Sequence, residues 1–207
     1  MKREEKKLLK ENQKALEEVI KNNSKSFGYK TISGIVYKII NDFIFIILIG
    51  MNYVTKNITV SIEYKPIILD KIFWEVFNMT EDTKDKPLSF HVNGWFTAKS
   101  VDIKKYEIKY DSKEEADEKF TEIINNSNNI IKEHIGKITN IETFYEDIIN
   151  DEEQYLNIIL VNILKNDYRK ALDKINECKR KYKTGGFMDE NHKSIIDLAK
   201  EYCENRI

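Results

Sequence analysis

Phe43–Met51 is the most apolar run in the chain, with Ile, Leu and Phe following one another and no polar alternation. A strand with two apolar faces needs cover on both, so the run predicts the central strand of a sheet. After it, Ile58, Val60, Ile62 and Tyr64 alternate with Thr59, Ser61 and Glu63, the pattern of a half-buried neighbour. Before it lies a strand over Ile35–Ile40, and Asn41-Asp42 is a two-residue turn of the type that joins antiparallel strands.

Elsewhere the apolar spacing is mostly helical. Residues 2–22 put Leu8, Leu9, Leu16, Val19 and Ile20 on one helix face, with a break expected at Asn22-Asn23-Ser24. Phe27-Gly28-Tyr29 then starts the sheet, and Gly28 is free to take a positive φ. Pro66 opens a short helix with Leu69, Ile72, Phe73, Val76 and Phe77 on its apolar face. Thr80–Lys86 reads as a surface loop, and Ser89–Phe96 and Val101–Tyr110 as two further strands, the second with a parity shift between Ile103 and Tyr106 that suggests a bulge.

Asp111-Ser112-Lys113-Glu114-Glu115 is a capping-box start for a long helix carrying Ala116, Phe120, Ile123, Ile124, Ile131 and Ile135. Helices follow at Ile141–Asn150, Glu152–Lys165, Asp167–Tyr182 and His192–Asn205, with Gly185-Gly186 as a break. The expected fold is therefore α+β: an N-terminal helix, an antiparallel sheet of about five strands with an inserted short helix, and a C-terminal helical layer. A division into an α+β domain over 1–138 and a helical subdomain over 139–207 fits the pattern, the alternative being that the two pack as one domain.

Composition adds boundaries to this picture. The chain has 207 residues, 33% of them charged, and a formal net charge of -1, so there is no overall pull toward nucleic acid or an anionic membrane. The Phe43–Met51 run is too short to span a bilayer, which takes about 20 residues, and the first residues lack the apolar core of a signal peptide. Two cysteines, Cys178 and Cys203, make neither a disulfide framework nor a metal motif and are expected in the core. These features predict a cytoplasmic protein, and the abundance of Lys, Ile and Asn suggests an AT-rich bacterial source.

Two resemblances bear on function. The helix from Leu16, the aromatic-Gly-aromatic element Phe27-Gly28-Tyr29 and the three strands up to Pro66 resemble small uncharacterised bacterial cytosolic α+β domains of unknown function, some of immunity type. That likeness implies an α+β fold and no particular chemistry. Asn166–Leu172, with Ile175 and Cys178 following, is similar to the second helix of a tetratricopeptide repeat, but no second copy follows at the repeat's period, so an ordinary αα-hairpin is expected.

No nucleophile elbow, phosphate loop or dinucleotide turn is present, and no catalytic residue, cofactor or metal is assigned. His91, Asn93 and Trp95 could line a pocket with the imidazole as acid or base; the plainer reading makes His91 a solvent-facing strand residue between buried Phe90 and Val92. Lys179, Arg180, Lys181 and Lys183 could bind phosphates with Tyr182 stacking, although cations also collect at a helix C-terminus because the macrodipole favours them. Glu142, Glu146, Asp147, Asp151, Glu152 and Glu153, interleaved with Phe144, Tyr145 and Tyr155, form an acidic-aromatic stretch suited to a basic protein partner. The plainer account there is acids at helix N-termini on a solvated face.

The leading expectation is a non-enzymatic, protein-binding bacterial protein of immunity or antitoxin type. An enzyme with a pocket at His91 and Trp95 is the alternative, and nucleic-acid binding through 179–183 the third.

Overall fold

In a computed structural model the chain is described at residues 14, 17–94, 96–181, 184, 186 and 188–207. It folds as expected into an α+β structure with an N-terminal helix, a five-stranded antiparallel sheet, inserted short helices and C-terminal helices. Leu8, Leu9 and Leu16 of the predicted helix lie outside the described residues. Residues 17–25 are helical (α1), with Ile20 buried and Val19 half-buried. The helix runs through the predicted break. Ser24 Oγ donates to the Lys21 carbonyl at 3.2 Å, and the reversal comes at residues 26–28, where the amide of Gly28 bonds to the Lys25 carbonyl. Gly28 has φ +75°, as its position required.

The strands β1 (Lys30–Ile32), β2 (Ile35–Ile40), β3 (Phe43–Asn52), β4 (Asn57–Pro66) and β5 (Val101–Lys109) lie in sequence order across the sheet. Asn41 and Asp42 have φ of 51° and 66°, which makes their hairpin the type whose twist matches its strands. In β3 the residues from Phe43 to Ile47 are buried regardless of parity, as a strand covered on both sides demands. In β4 Ile58, Val60, Ile62 and Tyr64 are all buried. In β5 the less exposed residues are Val101 and Ile103, then Tyr106 and Ile108, with Lys104 and Lys105 both exposed where the parity shifts.

The chain forms two compact units. The first comprises Met1–Ile40, Ile44–Tyr64 and Asp102–Lys137. Its long helix α5 (Lys113–Ile135) starts at Ser112, whose side chain accepts from the Glu115 amide, while Glu115 Oε2 accepts from the Asp111 amide. The run Asn125–Asn129 stays helical because it splits by face. Asn125, Asn126 and Asn129 are exposed; Ser127 and Asn128 are buried, and Asn128 Oδ1 accepts from the Tyr29 hydroxyl at 3.3 Å. His134 meets the Tyr64 ring edge-on at 4.5 Å and Phe45 at 6.5 Å, so α5 lies over the sheet face that carries those rings.

The second unit comprises Asn41–Phe43, Lys65–Val101 and Ile138–Ile207. It contains α2 (Ile67–Val76), the single turns α3 (Thr80–Thr83) and α4 (Phe90–Asn93), α6 (Ile141–Ile148), a 3-10 turn at Glu152–Gln154, α7 (Tyr155–Leu164), α8 (Tyr168–Arg180) and α9 (Ile195–Glu204). Helix α7 is apolar nearly all round, as a helix packed by α2, α6, α8 and α9 must be. Asn166, at φ 58°, turns the αα-hairpin between α7 and α8. Cys178 and Cys203 are buried on the packed helices α8 and α9, and burial pushes the Cys203 thiol up to about 11.

Two expectations are corrected here. Thr80–Thr83 is a helical turn within the predicted loop. Ser89–Phe96 is not a strand: Phe90–Asn93 is a turn of helix, and the fifth strand is Lys30–Ile32. Each of the two compact units is assembled from several segments of the chain. Residues 65–101 group with 138–207, so the crossing near Ile138 is one of several. Pro66 stops β4 and caps α2, and polar contacts of Lys65 and Asp70 then hold the chain within the second unit.

Candidate functional site

The acidic-aromatic stretch is displayed by the capping of α6. Asn140 Oδ1 accepts from the Thr143 amide at 3.0 Å, and Thr143 Oγ1 accepts from the Asn140 amide. With the helix started there, Phe144 and Ile148 point inward, and Phe144 packs on Phe43 with ring centroids 6.4 Å apart. Glu142, Glu146 and Asp147 are consequently exposed and Tyr145 half-buried. Asp151, Glu152 and Glu153 follow, all exposed, around the 3-10 turn that Asp151 caps by accepting from the Glu153 amide. Tyr155 is half-buried, and Ile149 is 44% exposed among these acids.

Several of these carboxylates have lysine partners. Glu142 lies 3.9 Å from Lys165, Glu152 lies 3.1 Å from Lys181, and Glu153 lies 3.9 Å from Lys99. The acidic and basic clusters, distinct in the sequence, are thus joined by Lys181, which also pairs with Glu177 at 3.0 Å. Lys179 pairs with Asp197. Hydrogen bonds from Lys181 and Lys174 hold the Glu177 carboxyl down at about 2, and those from Lys179 and Ser194 do the same for Asp197. Arg180 is exposed, while Tyr182 and Lys183 lie outside the described residues. Lys179 and Lys181 are therefore engaged by carboxylates of the same chain, an arrangement that needs no phosphate.

His91 is where the structure departs furthest from expectation. It is 7% exposed, and the alternation around it is inverted, with Phe90 and Val92 half-buried and Asn93 exposed. Its Nδ1 donates to Asp70 Oδ2 at 2.7 Å, and the Trp74 ring lies 4.8 Å from the imidazole. Asp70 Oδ1 accepts from Lys65 Nζ at 2.9 Å and from the Ala98 amide at 2.6 Å, and Lys65 Nζ also donates to the Ala98 carbonyl. Lys65 and Asp70 are fully buried, at 1% and 0% exposure. Trp74 Nε1 donates to the Phe96 carbonyl at 2.6 Å. The end of β4, α2, α4 and residues 96–98 are thereby tied together by polar contacts. Of the three pocket candidates, His91 is buried and Asn93 exposed, and Trp95 lies outside the described residues.

Asp70 and Lys65 went unread in the sequence, although a signal exists. Asp70 precedes Phe73 and Trp74 by three and four residues, so it shares their helix face. An acid on the apolar face of a short helix asks for a buried partner.

The first unit carries a groove of about 730 Å³ lined by apolar Ile20, Ile35, Leu48, Ile49 and Val60 together with Glu17, Lys105 and Glu107. Gly50 also lines it, and a Cβ there would meet Thr59 Oγ1 at 2.7 Å. Among the described residues no group of three or more His, Cys, Asp or Glu is placed to hold a metal ion, and no helix is long and apolar enough to cross a membrane. No family model matches the chain, nor does any curated protein or solved structure.

Proposed function

We propose that this is a non-enzymatic binding protein of the bacterial cytoplasm, of immunity or antitoxin type, whose partner is a basic protein docking on α6 and the turn after it. The observation that carries the reading is the position of Glu146 and Asp147. Glu142 lies in the first turn of α6 and Asp151 caps the next turn, so local helix physics accounts for both. Glu146 and Asp147 lie in the last turn of α6, where the carbonyl end of the helix repels negative charge by about 0.3–1 kcal/mol per residue. Acids kept where the helix disfavours them, beside exposed Ile149, suit a surface selected for a cationic partner.

The test is capture of basic polypeptides by the full chain carrying E146K and D147K, with E190K at an exposed position as the control for charge. Loss of capture in the double variant alone is expected, and the captured species should also be released by salt. Equal capture by all three proteins removes the interface.

One observation favours a second reading. His91 Nδ1 lies 2.7 Å from Asp70 Oδ2, and a carboxylate that orients an imidazole is an arrangement that general-base catalysis uses. That reading requires small molecules that perturb the His91 ring in an NMR fragment screen. Fragments that bind elsewhere and leave the ring untouched dismiss it.

A further inference from the structure

We infer that Glu142 and Tyr145 form an ammonium subsite within the proposed docking surface, occupied in the free protein by Lys165 and taken over by a lysine of the partner; this rests on the docking reading above. Glu142 and Tyr145 are three residues apart on α6 and so share a face. Lys165 follows the last residue of α7 and brings its Nζ to 3.9 Å from Glu142 Oε1 and 5.3 Å from the centre of the Tyr145 ring. A carboxylate and an aromatic face are two walls that suit a primary ammonium.

The aromatic wall is held, while both charged groups of the pair reach into solvent. Asn162, 4% exposed, donates from Nδ2 to the Ile158 carbonyl at 2.9 Å and lies 3.5 Å from the Tyr145 hydroxyl, which pins the ring from behind. The Lys165 side chain is 37% exposed and the Glu142 side chain 57%, each on a flexible stem. An ion pair so exposed and an exposed cation–π contact are each weak, so exchange for another ammonium is nearly neutral. Glu146 lies one turn further along the same face as Glu142 and presents the next carboxylate to a partner with spaced lysines.

The experiment inverts the usual sign, because removing a native lysine should tighten binding. Acetylated tetralysine amide is titrated calorimetrically at low salt onto the full chain and onto K165M, with K200M as a control that removes the same charge from α9. The expected result is about threefold tighter binding to K165M, the equivalent of one exposed ion pair, with a clearly smaller change in K200M. Weaker binding to Y145L follows from the same geometry. K165M indistinguishable from K200M overturns the inference, even if E146K with D147K weakens the peptide and so leaves the docking reading intact. A K165M gain with no effect of E146K and D147K keeps the subsite and overturns the docking reading. K165Q repeats the measurement should K165M melt at a lower temperature than the wild type.

Discussion

The hairpins of β2, β3 and β4 and the segment from Lys65 to Ala98 are neighbours in sequence and are held by different physics. The hairpins rest on apolar burial, continuous over Phe43–Ile47 and alternating in β4, and on turns of two to a few residues. The later segment is anchored by a buried carboxylate that takes hydrogen bonds from residues 5, 21 and 28 positions away. Local order of the first kind is written in neighbouring letters. Order of the second kind exists only once distant residues have met, and it fails as a unit because a buried charge without partners is costly.

The largest effect that tests this contrast is Asp70→Ala. Removing the common acceptor strands the Lys65 charge in the interior, and a loss of about 3–5 kcal/mol in urea unfolding is expected. Hydrogen exchange should show residues 88–98 losing protection before the β2–β4 amides do. Replacing Lys65 and Asp70 together, by Met and Leu, should recover part of that loss, since breaking a buried pair costs more than deleting it. Equal losses in the single and double variants place the stability in Asp70 packing instead of its charge.

A smaller effect probes the hairpins. Gly50→Ala brings a Cβ to 2.7 Å from Thr59 Oγ1, so that exposed hydroxyl must turn away from the Gly50 carbonyl, at a cost of about 0.5–1.5 kcal/mol. Adding Thr59→Ala should return most of it; no rescue means that the backbone, and not the hydroxyl, fills the space. At the β2–β3 turn, Asp42→Gly is expected to stabilise by about 0.5–1 kcal/mol, because Asp42 has φ 66° and glycine adopts it without strain.

The smallest effect compares buried with exposed charge. Glu177 is held at about 2 by Lys181 and Lys174, well below its usual 4.5. Its folded value is depressed, so its contribution is complete above about pH 4.5 and fades as pH falls toward 2. Glu177→Gln should flatten the acid limb of the stability profile slightly in that window and leave neutral-pH stability nearly unchanged. An effect at pH 7 comparable with that of Asp70→Ala contradicts the view that burial, more than charge, sets the weight of a contact.

The candidate surface was legible in one respect. The acids and tyrosines of 142–155 lie close together in sequence, so their grouping survives folding. Their counter-ions Lys99, Lys165 and Lys181 come from other elements and had no sequence signature. Phe144, which reads as part of the aromatic set, was claimed by the core because α6 starts at Asn140 and turns it inward.

Hydrophobic period and turn chemistry, acting between near neighbours, were enough to determine the α+β class, the β2–β4 strands, the Pro66 helix and the C-terminal helices. Phe43–Met51 needed cover on two faces whatever its partners were. Tertiary structure alone decided that Phe90–Asn93 is a turn of helix and not a strand. Phe90-His91-Val92 alternates as a strand does, but an apolar pattern cannot register that His91 and Ala98 will find Asp70. A hydrogen bond between residues distant in the chain leaves no periodic trace, and in a buried setting it outweighs the weak local preference that the alternation expresses.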